Sequence, residues 1–440
     1  VTGSPAPAAK AAAGTLAFVL IATAITLTLG ALLRAPCAAG DWGDGRQYRR
    51  LCYTDIVPLL SSEHLQGNRL PYLNPCPPSA GQCDEYPVLT MYFMRVAAWL
   101  SGDRFGSYFW INAFLLAICA MLISLLLVRM VARRALYFAL APTLLIYAYV
   151  NWDLWPALLA TAATYALLRD REAASGALLG MGAAAKAYPG LLVVPFAADR
   201  LHRRDGRPGK ERALVVVAWS GIAWVVLNLP FALASRSSWW TFFRFNAERP
   251  VDWDSLWFVA CTRLHHAGSC SWSPRQVNAA SLAAFVAVTA VVWGLRAYRD
   301  SGFPRWTLGF PILIAFLLTN KVYSPQYGIW LLPWFALALP SPWLFGLFQA
   351  ADVAVFVTRF SWFGRLAAET GDPAFAGYHG VTLGGFQVAL VIRAAILVAC
   401  LVAWTVRREE APVRAEPLLV SREGWRGDSP AAPRRAPDTG

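Results

Sequence analysis

The chain has 440 residues, of which 57% are hydrophobic and 15% charged, with a formal net charge of +13. Soluble domains carry about 25% charged residues. The deficit here, with apolar runs from end to end, excludes a string of ordinary soluble domains and indicates a multi-pass helical membrane protein. The positive charge does not indicate nucleic acid. Arginines gather in short segments between apolar runs, at 128–134, 169–172, 199–212, 296–305 and 406–410, as expected of cytoplasmic loops.

Residues 1–12 read as a disordered inner tail. The run 13–33, "AGTLAFVLIATAITLTLGALL", is about 20 residues, long for a signal-peptide core and suited to an uncleaved first span. Residues 34–106 then form the largest outward loop, within which 87–100 is apolar but short and is expected to lie in the interface or re-enter. Spans are predicted near 107–128, 135–150 and 154–168, with an outward turn at "NWD" (151–153). The segment 175–199 has basic flanks at both ends and Pro189 inside it. It is expected to form two short helices with Lys186 at their outward tip, where irregular backbone is tolerated beside protein or a wet cavity. A second outward loop covers 232–277, and further spans are predicted near 211–231, 278–296, 304–319, 326–340, 342–358 and 381–405. The membrane domain is thus 13–405, with about twelve helices and both termini inside. Residues 406–440 read as a second disordered tail.

The cysteines follow this orientation. Cys37, Cys52, Cys76 and Cys83 fall in the first outward loop, Cys261 and Cys270 in the second, and none in a basic segment. Even numbers in outward loops fit disulfides. Cys261 with Cys270 is the local pair of the second loop; the other four allow three pairings, all left open. The spacing of Cys76 and Cys83 is wide for a zinc knuckle and His64 is the loop's one histidine, so no metal site is expected.

The polar groups needing explanation sit at outward helix ends. Asp41 and Asp44, in "DWGDG", read as a turn. Asp55, ahead of "IVPLL", could be a helix cap or a reactive carboxylate. Asp84, Glu85, Asp153, Glu248, Asp252 and Asp254 are the other acids. Lysine occurs only at 10, 186, 210 and 321. Lys186 and Lys321 lie at outward membrane breaks, where a charge usually serves a partner such as phosphate. Arg236, Arg244, Arg249 and Arg263 read as snorkelling interfacial groups.

Taken in order, "DIVPLLSSEHLQGNRLPY", "EYPVLT", "NWDLWPALL", "GALLGMGAAAKAYPGLLVVP" and "NKVYSPQYGIWLLP" resemble glycosyltransferase family 87, formerly DUF2029. The resemblance runs from about residue 14 to about residue 400. It implies a GT-C-like fold and transfer of a hexose, mannose by family precedent, from a polyprenyl-phosphate sugar to a lipid or glycan acceptor, without a cofactor. It places the site on the extracytoplasmic side of the plasma membrane. Asp55, Gly67, Pro71 and Tyr72 match the family's general-base segment, and Lys186 its lysine. The expected roles are Asp55 as base in an inverting displacement, Lys186 and Lys321 at the donor phosphate, and Tyr72, Glu85, Tyr86 and Asp153 at the substrates. Two features depart from the family: Pro58 and Leu59 stand where a tyrosine is usual, and the cysteine-bearing "LNPCPPSAGQCD" is a longer insertion. A transporter or flippase of a lipid-linked sugar is the alternative. Acids clustered on one face, instead of along a path through the membrane, weigh against it.

Overall fold

The computed structural model describes residues 7–77, 83–202, 208–265, 269–407, 413 and 415–416. Residues 1–6 and most of 408–440, where disordered tails are expected, lie outside the described residues. Among the described residues the chain is helical throughout, with no strand. In chain order the main helices are α1 (Pro7–Arg34), α2 (Ile56–Ser62), α3 (Val88–Ser101), α4 (Phe105–Val131), α5 (Leu154–Leu168), α6 (Glu172–Ala185) and α7 (Val193–His202). They continue with α8 (Gly209–Ala234), α9 (Arg236–Glu248), α10 (Leu256–His265), α11 (Pro274–Arg299), α12 (Gly309–Thr319), α13 (Pro342–Glu369) and α14 (Leu383–Val406).

Among the described residues, six segments are long and apolar enough to cross a membrane: Ala12–Cys37, Phe105–Ala139, and α8, α11, α13 and α14. The others are shorter apolar helices or broken segments. The expected span at 135–150 is two short helices, Leu136–Ala139 and Pro142–Tyr147, and that at 326–340 is a 3-10 turn followed by Leu332–Leu337. Prolines explain both breaks. Pro142, Pro325 and Pro333 each sit at the start of a helical segment, where the missing N–H costs nothing. Residues 7–12, expected in the tail, already belong to α1. The stretch expected at the interface is α3, which packs on α4 and α6.

Small residues and buried charge fix the packing. α6 lies tightly on α8, because Gly176 and Gly180, one turn apart, put no side chain in the way; a Cβ on either would collide with the carbonyl of Val216 or Ser220. α13 and α14 are joined by Asp352 and Arg393, both buried, with Arg393 Nη1 3.1 Å from Asp352 Oδ1. Thr143 Oγ1 donates to the other carboxylate oxygen at 2.9 Å. α8 and α11 expose Leu214, Ile222, Val226, Leu282 and Val286, as helices facing lipid do.

The two ends of the bundle differ in chemistry. At one end Arg200 and Arg212 meet Asp170 and Glu172, tying the α5–α6 turn to α7 and α8. The other end holds three disulfides: Cys37–Cys52, Cys76–Cys83 and Cys261–Cys270. The pairing expected in the second loop is formed, and the first loop adopts one of its three options. Cys119 and Cys400 are free and buried.

Candidate active site

At the disulfide-bearing end, a cavity of about 1240 Å³ opens between the first loop, the α6 terminus, the 320–330 segment, α9 and α13. Sites for one small molecule run to roughly 300–1,000 Å³, so this one has room for two reactants.

Asp55 lines it. The residue occupies the N-cap position of α2, yet its side chain makes no capping hydrogen bond. The Thr54 hydroxyl accepts from the Ile56 N–H instead, at 3.2 Å. The Asp55 backbone N–H donates to the Val150 carbonyl at 2.8 Å, which fixes the residue against the "NWD" turn. Its carboxylate then meets Asn151, whose Nδ2 donates to Asp55 Oδ2 at 2.8 Å and to the Tyr86 hydroxyl at 2.7 Å. Burial raises the Asp55 pKa above the usual carboxylate value; the Asn151 and Tyr53 side chains, then the charges of Arg359 and Lys186, oppose that rise. The cap function is thus carried by Thr54, and the Asp55 carboxylate is left to face the cavity.

Lys186 lies at the end of α6, where Pro189 stops the helix, and faces the cavity. Its ammonium donates to Asp153 Oδ1 at 2.7 Å and stands 4.6 Å from the centre of the Tyr327 ring. Asp153 does not line the cavity. It is fully buried behind Lys186 and also accepts from Trp330 Nε1 at 2.7 Å. Tyr188, Trp330 and Tyr327 stack at 4.1 and 4.0 Å, giving the lysine an aromatic floor.

Lys321 is held differently from Lys186. It borders the cavity, but it is 4% exposed and its ammonium donates to the carbonyls of Ala247 (3.1 Å) and Arg249 (2.6 Å). Burial, then the Arg249 charge, lowers its pKa to about 8. Tyr72 is also buried and lies outside the main cavity, with its hydroxyl donating to the Tyr86 carbonyl. It braces the turn that carries Glu85 and Tyr86, both of which do line the cavity. Burial raises the pKa of Glu85, opposed by Arg249.

Several participants carry no local signal. Asn151 looks like a turn residue until the fold sets it against Asp55. Arg359 comes from α13, which continues eleven residues beyond the predicted end at 358. Its Nε lies 3.1 Å from Asp254 Oδ2, and burial raises the Asp254 pKa to about 7 against the pull of Arg359. An arginine directly after a long apolar run is the one clue the sequence offers. Glu63, buried, accepts from the Asp84 N–H at 2.6 Å and so holds the same turn as Tyr72. Burial, then the Glu85 charge, raises its pKa to about 8. Among the described residues, no three His, Cys, Asp or Glu side chains are grouped to hold a metal ion.

No curated protein matches the chain. Among solved structures it is similar to the Archaeoglobus fulgidus oligosaccharyltransferase in its apo form, at 13% identity and a TM-score of 0.41, over 91% of this chain and 56% of that one. The chain therefore spans little more than half of that protein's length. It is also similar to ArnT from Cupriavidus metallidurans bound to undecaprenyl phosphate, at 14% identity and a TM-score of 0.39, over 89% of this chain and 78% of that one. The family model for glycosyltransferase family 87 matches residues 85–325, more than half of the 440. Glu85, Tyr86, Asp153, Lys186 and Lys321 fall inside the match, and Asp55 and Tyr72 precede it. The chain belongs to glycosyltransferase family 87.

Proposed function

We propose that the protein transfers a hexose, with mannose the first candidate, from a polyprenyl phosphate to a lipid or glycan acceptor, with Asp55 as general base. The observation that carries this reading is a carboxylate at a cap position, relieved of capping by Thr54 and turned into a cavity beside Asn151. The acceptor hydroxyl gives its proton to Asp55 as its oxygen bonds the anomeric carbon. The bond from that carbon to the phosphate oxygen breaks, and its electron pair stays on the phosphate. Lys186, fixed by Asp153, stabilises that growing charge. One displacement inverts the anomeric centre.

The cavity shares its end of the bundle with the three disulfides, while the basic cluster lies at the other end. Disulfides form in oxidising compartments and basic loops stay in the cytoplasm. Both support a site facing outward from the plasma membrane.

The test is transfer of label from a panel of radiolabelled polyprenyl-phosphate sugars in membranes carrying the wild type or Asp55→Asn. New labelled product in the wild type alone supports the reading. Movement of an intact lipid-linked sugar, equal in both and without a new glycosidic bond, identifies a carrier instead.

A further inference from the structure

Lys321 and Arg249 have no role above that uses their geometry. A buried lysine is costly, and this one is spent on two backbone carbonyls, those of residues 247 and 249. Those carbonyls belong to the end of α9 and the turn leaving it. The same turn is held twice more: Asn278 Nδ2 donates to the Ala247 carbonyl at 2.9 Å, and the Asp252 N–H donates to the Lys321 carbonyl at 2.9 Å. The structure thus fixes this turn from two neighbouring segments.

The turn carries Arg249 into the cavity. Its guanidinium is one-third exposed, and its nearest acid, Asp252, stands at 3.6 Å, beyond hydrogen-bond distance. Glu85 faces it electrostatically, as do the hydroxyls of Tyr86 and Tyr327. Tyr327 is also the ring under the Lys186 ammonium. Two cations from different elements, Lys186 and Arg249, thus line one cavity together with that tyrosine. Just ahead of Arg249, Phe242, Phe243 and Phe245 of α9 line the cavity, while Trp240 of the same helix is 54% exposed. An apolar wall thus leads to the arginine, as an amphiphile with an anionic head requires.

We propose that Arg249 contacts the phosphate of the polyprenyl-phosphate donor opposite Lys186, and that Lys321 is a positioning residue that fixes the turn carrying it. This rests on the donor named above. The donor phosphate is a diester with one negative charge; when the bond to the sugar breaks, it leaves as a monoester with one more. A planar guanidinium offers paired donors to the oxygens on which that charge collects.

The probe is decaprenyl monophosphate, with uncharged decaprenol as control. Each is titrated against the full chain in lipid nanodiscs and read by tryptophan fluorescence, Trp253 and Trp330 lying at the cavity. The wild type should prefer the phosphate. Arg249→Gln should lose about tenfold or more of phosphate affinity, the range for hydrogen bonds to a charged group, with decaprenol binding unchanged. Arg249→Lys should recover part of the loss. Lys321→Met should reproduce the Arg249→Gln loss, and the double variant should lose no more, since the two act as one unit. Asn278→Ala, which cuts the other tie to Ala247, replaces Lys321→Met if that variant does not fold. Wild-type phosphate preference in Arg249→Gln overturns the assignment. Additive losses in the double variant overturn the positioning role and make Lys321 a direct ligand. A wild type with no preference for phosphate overturns the donor reading itself, and this inference with it.

Discussion

Asp55→Asn removes one proton acceptor and little else. The amide oxygen of asparagine can still accept from Asn151 Nδ2, now at 2.8 Å from the carboxylate. The start of α2 is unaffected, because the Asp55 side chain makes no capping bond there. Folding stability should therefore stay within about 1 kcal/mol, the scale of exchanging a charged for a neutral hydrogen bond. Transfer should fall by about 10²- to 10⁴-fold, the usual contribution of a positioned general base, or roughly 3–5 kcal/mol of barrier. The wild-type profile carries a second signature. A general base at Asp55 would work deprotonated, and burial raises the Asp55 pKa, so activity should be lost on acidification at a higher pH than an exposed aspartate would give. The residual activity of Asp55→Asn should lack that limb. The assay is label transfer at several pH values, with protein level and thermal unfolding measured in parallel. A stable Asp55→Asn within threefold of wild type, or one retaining the acidic limb, refutes the assignment, and Glu85 becomes the next carboxylate to test.

Lys186→Met should abolish transfer and cost about 3–5 kcal/mol of stability, because it strands the buried Asp153 without its charge partner. Adding Asp153→Asn should restore the thermal midpoint but not transfer; recovery of both would make the pair structural. Glu63→Gln tests the turn beneath Glu85. The Glu63 pKa is raised from 4.5 to about 8, so its contribution to stability is complete below 4.5 and lost as pH rises toward 8. The Gln variant should flatten that decline in thermal unfolding scans, and an unchanged slope would show that another group titrates. Gly180→Leu should separate α6 from α8 by driving a side chain into the Ser220 carbonyl. The loss should appear as protease sensitivity of the detergent-solubilised protein, and a variant as resistant as wild type would refute the close packing.

The long apolar runs were legible because a membrane imposes length and hydropathy directly on the sequence. The segments at 135–150 and 326–340 were not. Their composition matches a span, and only their prolines show that the chain turns inside protein. Asp55 and Lys186 could be singled out as charges at outward breaks, and their partners could not. Asn151 lies 96 residues from Asp55 and Asp153 lies 33 from Lys186, separations that leave no periodicity to read. Lys321 could likewise be singled out as a scarce lysine at an outward break, and the two backbone carbonyls that hold its ammonium, more than 70 residues away, could not.

The Cys37–Cys52 bridge has a consequence for how the protein is made. It closes a loop of 15 residues that begins beyond α1 and ends three residues before Asp55, and such a link is worth about 3 kcal/mol of chain entropy. The segment that leads into Asp55 is therefore tightened by an event that follows translation: thiol oxidation after the loop has left the ribosome. Chain synthesised in a reducing extract, or purified in excess dithiothreitol, should insert normally and still hold its first loop slack. Recombinant production then depends on the oxidising capacity of the host as much as on its membrane. An inactive preparation should be checked for free thiols before its substrate is doubted.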